Sequence, residues 1–199
     1  MLSSIARLIM ALLPVLVACL IGLGGERWRL GLRYDRDALL ADGEWWRLLT
    51  GHVVHLNPSH LLLDGLSFLV IALMFVAMTP MWLWWGALVA AAVTIDAALL
   101  VMHPELDWYV GLSGVIHGVF VVGALRTLEH HRTEGAVMLI LLAAKLAWEV
   151  LVGPMPWSES ASRGPVVEEV HLYGTLGGAI LWWVAALLPR RRWQHGPAP

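Results

Sequence analysis

Cysteine and lysine are almost missing from this chain, which has one of each, Cys19 and Lys145. A single thiol cannot close an internal disulfide, and it excludes any zinc or iron–sulfur centre built on several cysteines. Charge is scarce too: charged residues make up 14% of the 199 positions, and 13 basic against 15 acidic groups leave a formal net charge of −2. With so little positive surface, binding to DNA or RNA has no electrostatic basis, and no nucleic-acid partner is expected. What fills the sequence instead is apolar, 59% hydrophobic with twelve tryptophans and a mean hydropathy of +0.71. Such a chain belongs in lipid, and membrane lipids are its first expected partner.

A bilayer core about 30 Å thick takes roughly 20 residues of helix at about 1.5 Å per residue. Six apolar stretches approach that length, at about 7–24, 58–78, 81–102, 112–128, 135–152 and 169–189. They are apolar on all sides rather than alternating, which predicts helices and not a barrel, because a spanning helix satisfies its backbone hydrogen bonds internally. The expected fold class is all-α: a polytopic six-helix membrane bundle forming a single domain over 1–199. Thr79-Pro80 reads as a tight turn, Arg126 to Glu134 as a polar loop, and Gly153 to Pro165 as a Pro-, Ser- and Gly-rich connection.

The longest connection, Gly25 to Asn57, sets Arg27, Arg29, Arg33, Arg36 and Arg47 against Glu26, Asp35, Asp37, Asp42 and Glu44. With Trp28, Tyr34, Trp45 and Trp46 it reads as a folded loop lying in the membrane interface. Arginine counts do not orient the bundle. Arg7, Arg126, Arg132 and Arg190 to Arg192 fall on one side, and the five loop arginines with Arg163 fall on the other. The short loop and the Arg190–Arg192 tail break the tie in favour of both termini inside. Met1 to Gly24 has a rival reading as an export signal, with Leu16-Val17-Ala18-Cys19 as a lipoprotein cleavage box and Cys19 as the lipidated residue. The continuing apolar run through Leu20, Ile21 and Leu23 favours a retained span.

Polar groups at bilayer depth are expensive, so each needs a reason. Lys145 and Glu149, four apart in the fifth helix, read as a structural pair that neutralises itself on one helix face. Asp96 reads as a packing or hydrogen-bonding group with no partner identifiable nearby in sequence. His117 reads as a packing or hydrogen-bonding group rather than a catalyst. His60, Ser113 and His171 share one property: each lies near the N-terminal end of an even-numbered helix, so all three open on the same side of the bundle. From Ser113 to Arg126 a helix covers only about 20 Å at about 1.5 Å per residue. If Arg126 marks the far interface, Ser113 starts below the near one and the connection Pro104 to Leu112 must dip inward. Membranes tolerate that only where the backbone lines a watery cavity or is covered by protein. A serine near a histidine in such a cavity is a candidate nucleophile and base. Gly114 and Gly118, and Gly174 and Gly178, form small-residue stripes that would bring the two helices together.

Taken in order, Glu44-Trp45-Trp46-Arg47, then His55, His60 and Asp64, then Gly111-Leu112-Ser113-Gly114, then His171, Gly174 and Gly178 resemble the motifs of the rhomboid intramembrane serine proteases. The resemblance implies Ser113 as nucleophile and His171 as general base, a dyad without a third acid. It also implies His60 and the backbone N–H of Ser113 as oxyanion donors, with no cofactor and no metal. Trp46, Arg47, His55, Gly111, Gly114, Gly118, Gly174 and Gly178 would be structural motif positions. Asp64 departs from the Asn usual there: either burial keeps its carboxyl protonated so that it donates toward the oxyanion, or it points elsewhere and serves structure. Gly-Leu-Ser-Gly-Val-Ile-His-Gly at 111–118 is most similar to rhombosortases. That narrower resemblance implies transmembrane clients with a C-terminal glycine-rich motif, one helix and a basic cluster, cleaved in a bacterial inner membrane with the site on the periplasmic side. Transfer of the new terminus to a lipid amine would be an alternative to hydrolysis. Two other classes compete: an inactive rhomboid-like escort of membrane clients, and a metal or haem protein using His52, His55, His60, His117 and His171. The second lacks a His-Glu-x-x-His motif, and His55 and His60, five apart, do not share a helix face as a pair four apart would.

Overall fold

The computed structural model describes residues 3–162 and 166–188, and is helical almost throughout. Arg163 and the Arg190–Arg192 tail, which enter the orientation count, lie outside the described residues. In chain order the elements are α1 (Ser4–Ala11), α2 (Leu13–Leu23), α3 (Gly25–Leu32), β1 (Tyr34–Asp35), α4 (Arg36–Leu40) and α5 (Arg47–Thr50). A 3₁₀ turn (Gly51–Val53) leads to α6 (Pro58–Phe75) and α7 (Met81–Met102). There follow β2 (Trp108–Tyr109), α8 (Ser113–His130), α9 (Arg132–Val152), α10 (Pro156–Ser162) and α11 (Glu169–Leu187).

Punctuation in the sequence explains most of these boundaries. The first apolar run is not one straight span: α1 and α2 meet at 45°, with Pro14 just inside α2. Proline has no N–H for the preceding turn and its ring crowds that turn's carbonyl, so the bend falls there. Pro58 occupies the first turn of α6, where its missing N–H removes nothing, and Asn57 caps the helix by accepting the His60 amide at 3.0 Å. At the other end of α6, the Arg7 guanidinium donates to the Val76 and Thr79 carbonyls at 2.7 and 2.8 Å. The connection read as Arg126 to Glu134 is nearly absent. The helix carries on to His130 and the next begins at Arg132, because Arg126 and Glu129 pair along α8 and Gly135 lets α9 lie against the Leu128 backbone.

Among the described residues four helices, α6, α7, α9 and α11, are long and apolar enough to cross a bilayer, and the bent α1–α2 pair makes a fifth if it counts as one span. The remaining stretch, the fourth, is α8, and it does not reach that apolarity. It carries His117, Arg126, Glu129 and His130, and it packs against α6, α7, α9 and α11 with most of its apolar side chains buried. A helix surrounded by protein has little lipid to satisfy, so its composition is free to be more polar. The outward faces of its neighbours show the reverse, with Leu66, Val70, Val93, Ile140 and Trp183 exposed as lipid-facing residues must be.

The long first loop folds into α3, β1, α4 and α5, with Trp28, Trp45 and Trp46 exposed and Tyr34 buried. Arg47 is its centre. Buried itself, it pairs with Glu44 at 2.5 Å and donates to the Leu30 and Arg33 carbonyls, both at 2.9 Å, so one guanidinium closes the loop on itself. Asp35 caps α4 by accepting the Ala38 amide. Burial works to raise its pKa, but the Arg33 guanidinium and that amide outweigh it and hold the carboxyl below its ordinary value. The folded loop is then strapped to the segment before α8. Strands β1 and β2 pair antiparallel, Tyr34 opposite Tyr109, and the Arg36 amide donates to the Asp107 carbonyl at 2.8 Å.

Candidate active site

Helices α8 and α11 touch along their glycine stripes. A Cβ at Gly174 would fall on the Gly114 carbonyl, one at Gly178 on the Gly118 carbonyl, and one at Gly118 would stand 2.8 Å from the Gly174 carbonyl oxygen. Backbone therefore meets backbone, and the first turns of the two helices are held side by side. That contact places Ser113 Oγ 3.0 Å from His171 Nε2. We expect Gly174→Ala to force the helices apart at a point where no flexible side chain can yield, lowering stability by about 1–3 kcal/mol. Because a 1 Å displacement of reacting groups costs about 10²-fold, the variant should also lose serine reactivity on that scale. Detergent-solubilised thermal unfolding and covalent labelling of Ser113 measure the two losses separately.

The segment leading into Ser113 is wholly supported by protein. Gly111 adopts φ +134°, a conformation that favours glycine, and a Cβ there would meet the His60 ring at 3.3 Å. The Gly111 amide donates to the Gly51 carbonyl at 3.2 Å, and Tyr109 Oη donates to the Gly111 carbonyl at 2.8 Å. The Leu112 amide donates to Asp64 Oδ2 at 3.0 Å. Irregular backbone inside a membrane bundle requires such partners. Ser113 opens α8, where the first amides of a helix have no intrahelical acceptor and face outward.

Asp64 does neither of the two things expected of it in full. It points into the site, yet as an acceptor: the same Oδ2 that takes the Leu112 amide lies 3.1 Å from His55 Nε2 and 3.5 Å from His60 Nε2. His55 is not helical. It precedes α6 and folds back, so the two histidines meet edge to face with ring centroids 5.0 Å apart although their spacing is wrong for one helix face. The Leu56 amide lies 3.5 Å from His60 Nδ1, a long contact compatible with a proton on Nε2. At 3.5 Å that N–H is only loosely committed to Asp64, so it is free to turn to another acceptor.

His171 has more company than the sequence suggested. Its Nδ1 lies 3.0 and 3.1 Å from the two carboxylate oxygens of Glu149, and Lys145 Nζ is 2.7 Å from Glu149 Oε2 and 3.3 Å from that same Nδ1. The expected Lys145–Glu149 pair is present, but it does not stand alone. His117 is also drawn in: it donates from Nδ1 to the Ser113 carbonyl at 2.7 Å and stacks on the His171 ring at 4.3 Å between centroids. The signal for Glu149 was its cost, a carboxylate in an apolar span. Its partner across 22 residues was not visible, because nothing in the sequence sets how α9 and α11 are rotated about their axes. Asp96 likewise finds a distant partner, buried His52 at 3.2 Å.

His60 and Ser113 line a cavity of about 290 Å³ that is bounded by Glu105, Trp108, Tyr109 and Val167. A smaller one of about 150 Å³ reaches from the same pair to Lys145, Glu149 and His171. Among the described residues no three His, Cys, Asp or Glu side chains gather as a metal site would require. Cys19 is exposed on α2.

A bundle of apolar helices around a serine–histidine contact, reached through a cavity, defines an integral membrane protein of the rhomboid class. The family model described as "Rhomboid domain" matches residues 42–188, and the chain belongs to that family. It is 27% identical over 155 residues to the Bacillus subtilis (strain 168) protein named "Putative rhomboid protease YdcA", an alignment covering 77% of this chain and 74% of that one.

Proposed function

We propose that this protein is an intramembrane serine endopeptidase in which Ser113 is the nucleophile and His171 its general base. The observation that carries this reading is the 3.0 Å contact between Ser113 Oγ and His171 Nε2 beside a cavity that His60 shares. Ser113 Oγ attacks the scissile carbonyl carbon as its proton passes to His171 Nε2. The oxyanion so formed is met by the His60 Nε2–H and the Ser113 backbone N–H. The imidazolium returns its proton to the leaving amine, the C–N bond breaks, and an acyl-enzyme ester remains. Water then attacks the ester carbonyl as His171 takes its proton, and the imidazolium returns a proton to Ser113 Oγ as the C–O bond breaks, which releases the new carboxylate and restores the enzyme. A lipid amine could take the acyl group by the same steps.

The substrates are membrane-anchored proteins. The narrower rhombosortase-like reading rests on the resemblance of 111–118, and assigns clients with a glycine-rich segment, one helix and a basic C-terminal cluster. Glycine suits the cleavage site because a helix is weakened there by about 1 kcal/mol relative to alanine, and a protease must hold its substrate extended. We place the site on the periplasmic side of a bacterial inner membrane with both termini inside. The bent α1–α2 pair and α8 complete six crossings.

The test is co-expression with such a client, comparing wild type and Ser113→Ala. Cleavage near the glycines by wild type alone is expected, and the mass of the new C-terminus distinguishes a free carboxylate from an amine adduct. Equal client processing by both proteins would remove Ser113 from its role.

A further inference from the structure

Two groups meet His171 Nδ1, the Glu149 carboxylate and the Lys145 ammonium, and they ask opposite things of it. An ionised carboxylate can only accept and an ammonium can only donate. If Nδ1 carries the proton it donates to Glu149 at 3.0 Å, which leaves the Nε2 lone pair facing Ser113 Oγ–H, the arrangement a general base needs. If Nδ1 is bare it accepts from Lys145 at 3.3 Å, the proton sits on Nε2, and the serine proton has nowhere to go. Glu149 is the nearer group and offers both oxygens. Its side chain is 3% exposed, against 30% for Lys145, so it is held in place more firmly.

An ion pair needed only for neutrality at i, i+4 would be complete with Nζ on one oxygen. Here the carboxylate also turns its second oxygen to the imidazole, and His117 stacks on a face of the ring. We propose that Glu149 is a positioning residue, which holds His171 in the base-competent tautomer and stabilises the imidazolium formed when Ser113 attacks. Lys145 is its counter-ion and tempers that stabilisation. The inference rests on the proposed roles of Ser113 and His171 and adds an acid to what would otherwise be a dyad.

The two residues must then act in opposite directions. Without the carboxylate, Lys145 opposes a positive His171 and favours the wrong tautomer. Without Lys145, the carboxylate acts undiluted. The other titratable groups near the ring are His117 on α8, His60 and Asp64 across the smaller cavity, and Glu168 and Glu169, which with Glu149 line the space between α9 and α11. All are left unchanged in the comparison.

The experiment follows the rate of covalent labelling of Ser113 by a fluorophosphonate across pH. Full-length wild type, Glu149→Gln, Lys145→Met and the double variant are compared in detergent, with thermal unfolding recorded for each. Glu149→Gln keeps the shape of the side chain and should fold. Its rate should fall on the order of 10²-fold or more, by analogy with removing the acid of other serine-protease triads. Its acid limb should move about one pH unit lower, the scale of one adjacent charge. Lys145→Met should move that limb the other way, and the double variant should recover part of the Glu149→Gln loss. A wild-type rate and an unmoved limb in Glu149→Gln, or shifts of the same sign in both single variants, would overturn the proposal. Equal labelling of wild type and Ser113→Ala would instead sink the nucleophile assignment on which it stands.

Discussion

Ser113→Ala, His171→Ala and the double variant are expected to fall to one common floor, each on the order of 10⁴-fold or more below wild type in client cleavage. The reason is that, in the proposed mechanism, the two side chains perform a single proton transfer. With Ser113 gone, His171 has no hydroxyl proton to accept. With His171 gone, Oγ must attack while still protonated. Either loss removes the whole step, so the second substitution adds nothing, and the double-mutant cycle should show an interaction energy as large as either single effect. Two independent contributions would multiply instead, taking the double variant far below either single one. Quantitative client cleavage with the unfolding temperature of each variant checks this. The side chains meet through one contact of 3.0 Å and the backbones beneath them are set by glycine, so neither alanine variant should unfold the bundle.

The parts of this site visible in the sequence are those that local rules determine. Apolar runs locate helices, prolines and Asn57 mark their starts, and glycines four apart in two helices announce a close crossing. From the crossing, the meeting of Ser113 and His171 follows. The parts not visible depend on rotation and on long loops. Glu149 reads equally well as Lys145's partner until α9 is placed with that face turned to α11. His55 sits at a spacing that helix geometry would reject as a partner for His60, and it joins the site only because it lies in the irregular segment before the helix rather than in it. The mixed charges of the first loop suggested a folded interfacial segment, but not that Arg47 would bury itself on Glu44 and two carbonyls, or that a two-residue ladder would tie Tyr34 to Tyr109. Hydropathy carries less information at α8 for a related reason. It reports what a helix shows to lipid, whereas α8 is largely enclosed by other helices.

His60→Ala is expected to lower turnover about 10²–10³-fold, the usual effect of losing one oxyanion donor, while leaving Ser113 reactive enough to be labelled slowly. Asp64 separates the two functions that meet at this point. Its Oδ2 gathers the Leu112 amide and His55 Nε2 and lies near His60 Nε2, so it fixes both the backbone leading to the proposed nucleophile and the proposed oxyanion donor. None of those tasks needs a negative charge. An amide oxygen in the same position accepts the same donors, so Asp64→Asn should keep its fold and most of its activity. Asp64→Leu removes the acceptor and leaves buried donors unpaired, at about 1–3 kcal/mol for each group stranded, so it should lower both the unfolding temperature and the labelling rate. His60→Ala, by contrast, should depress cleavage with a much smaller thermal shift. Loss of activity in Asp64→Asn without loss of stability would mean that the charge itself is needed, and that the carboxylate does more than hold the loop and the imidazole in place.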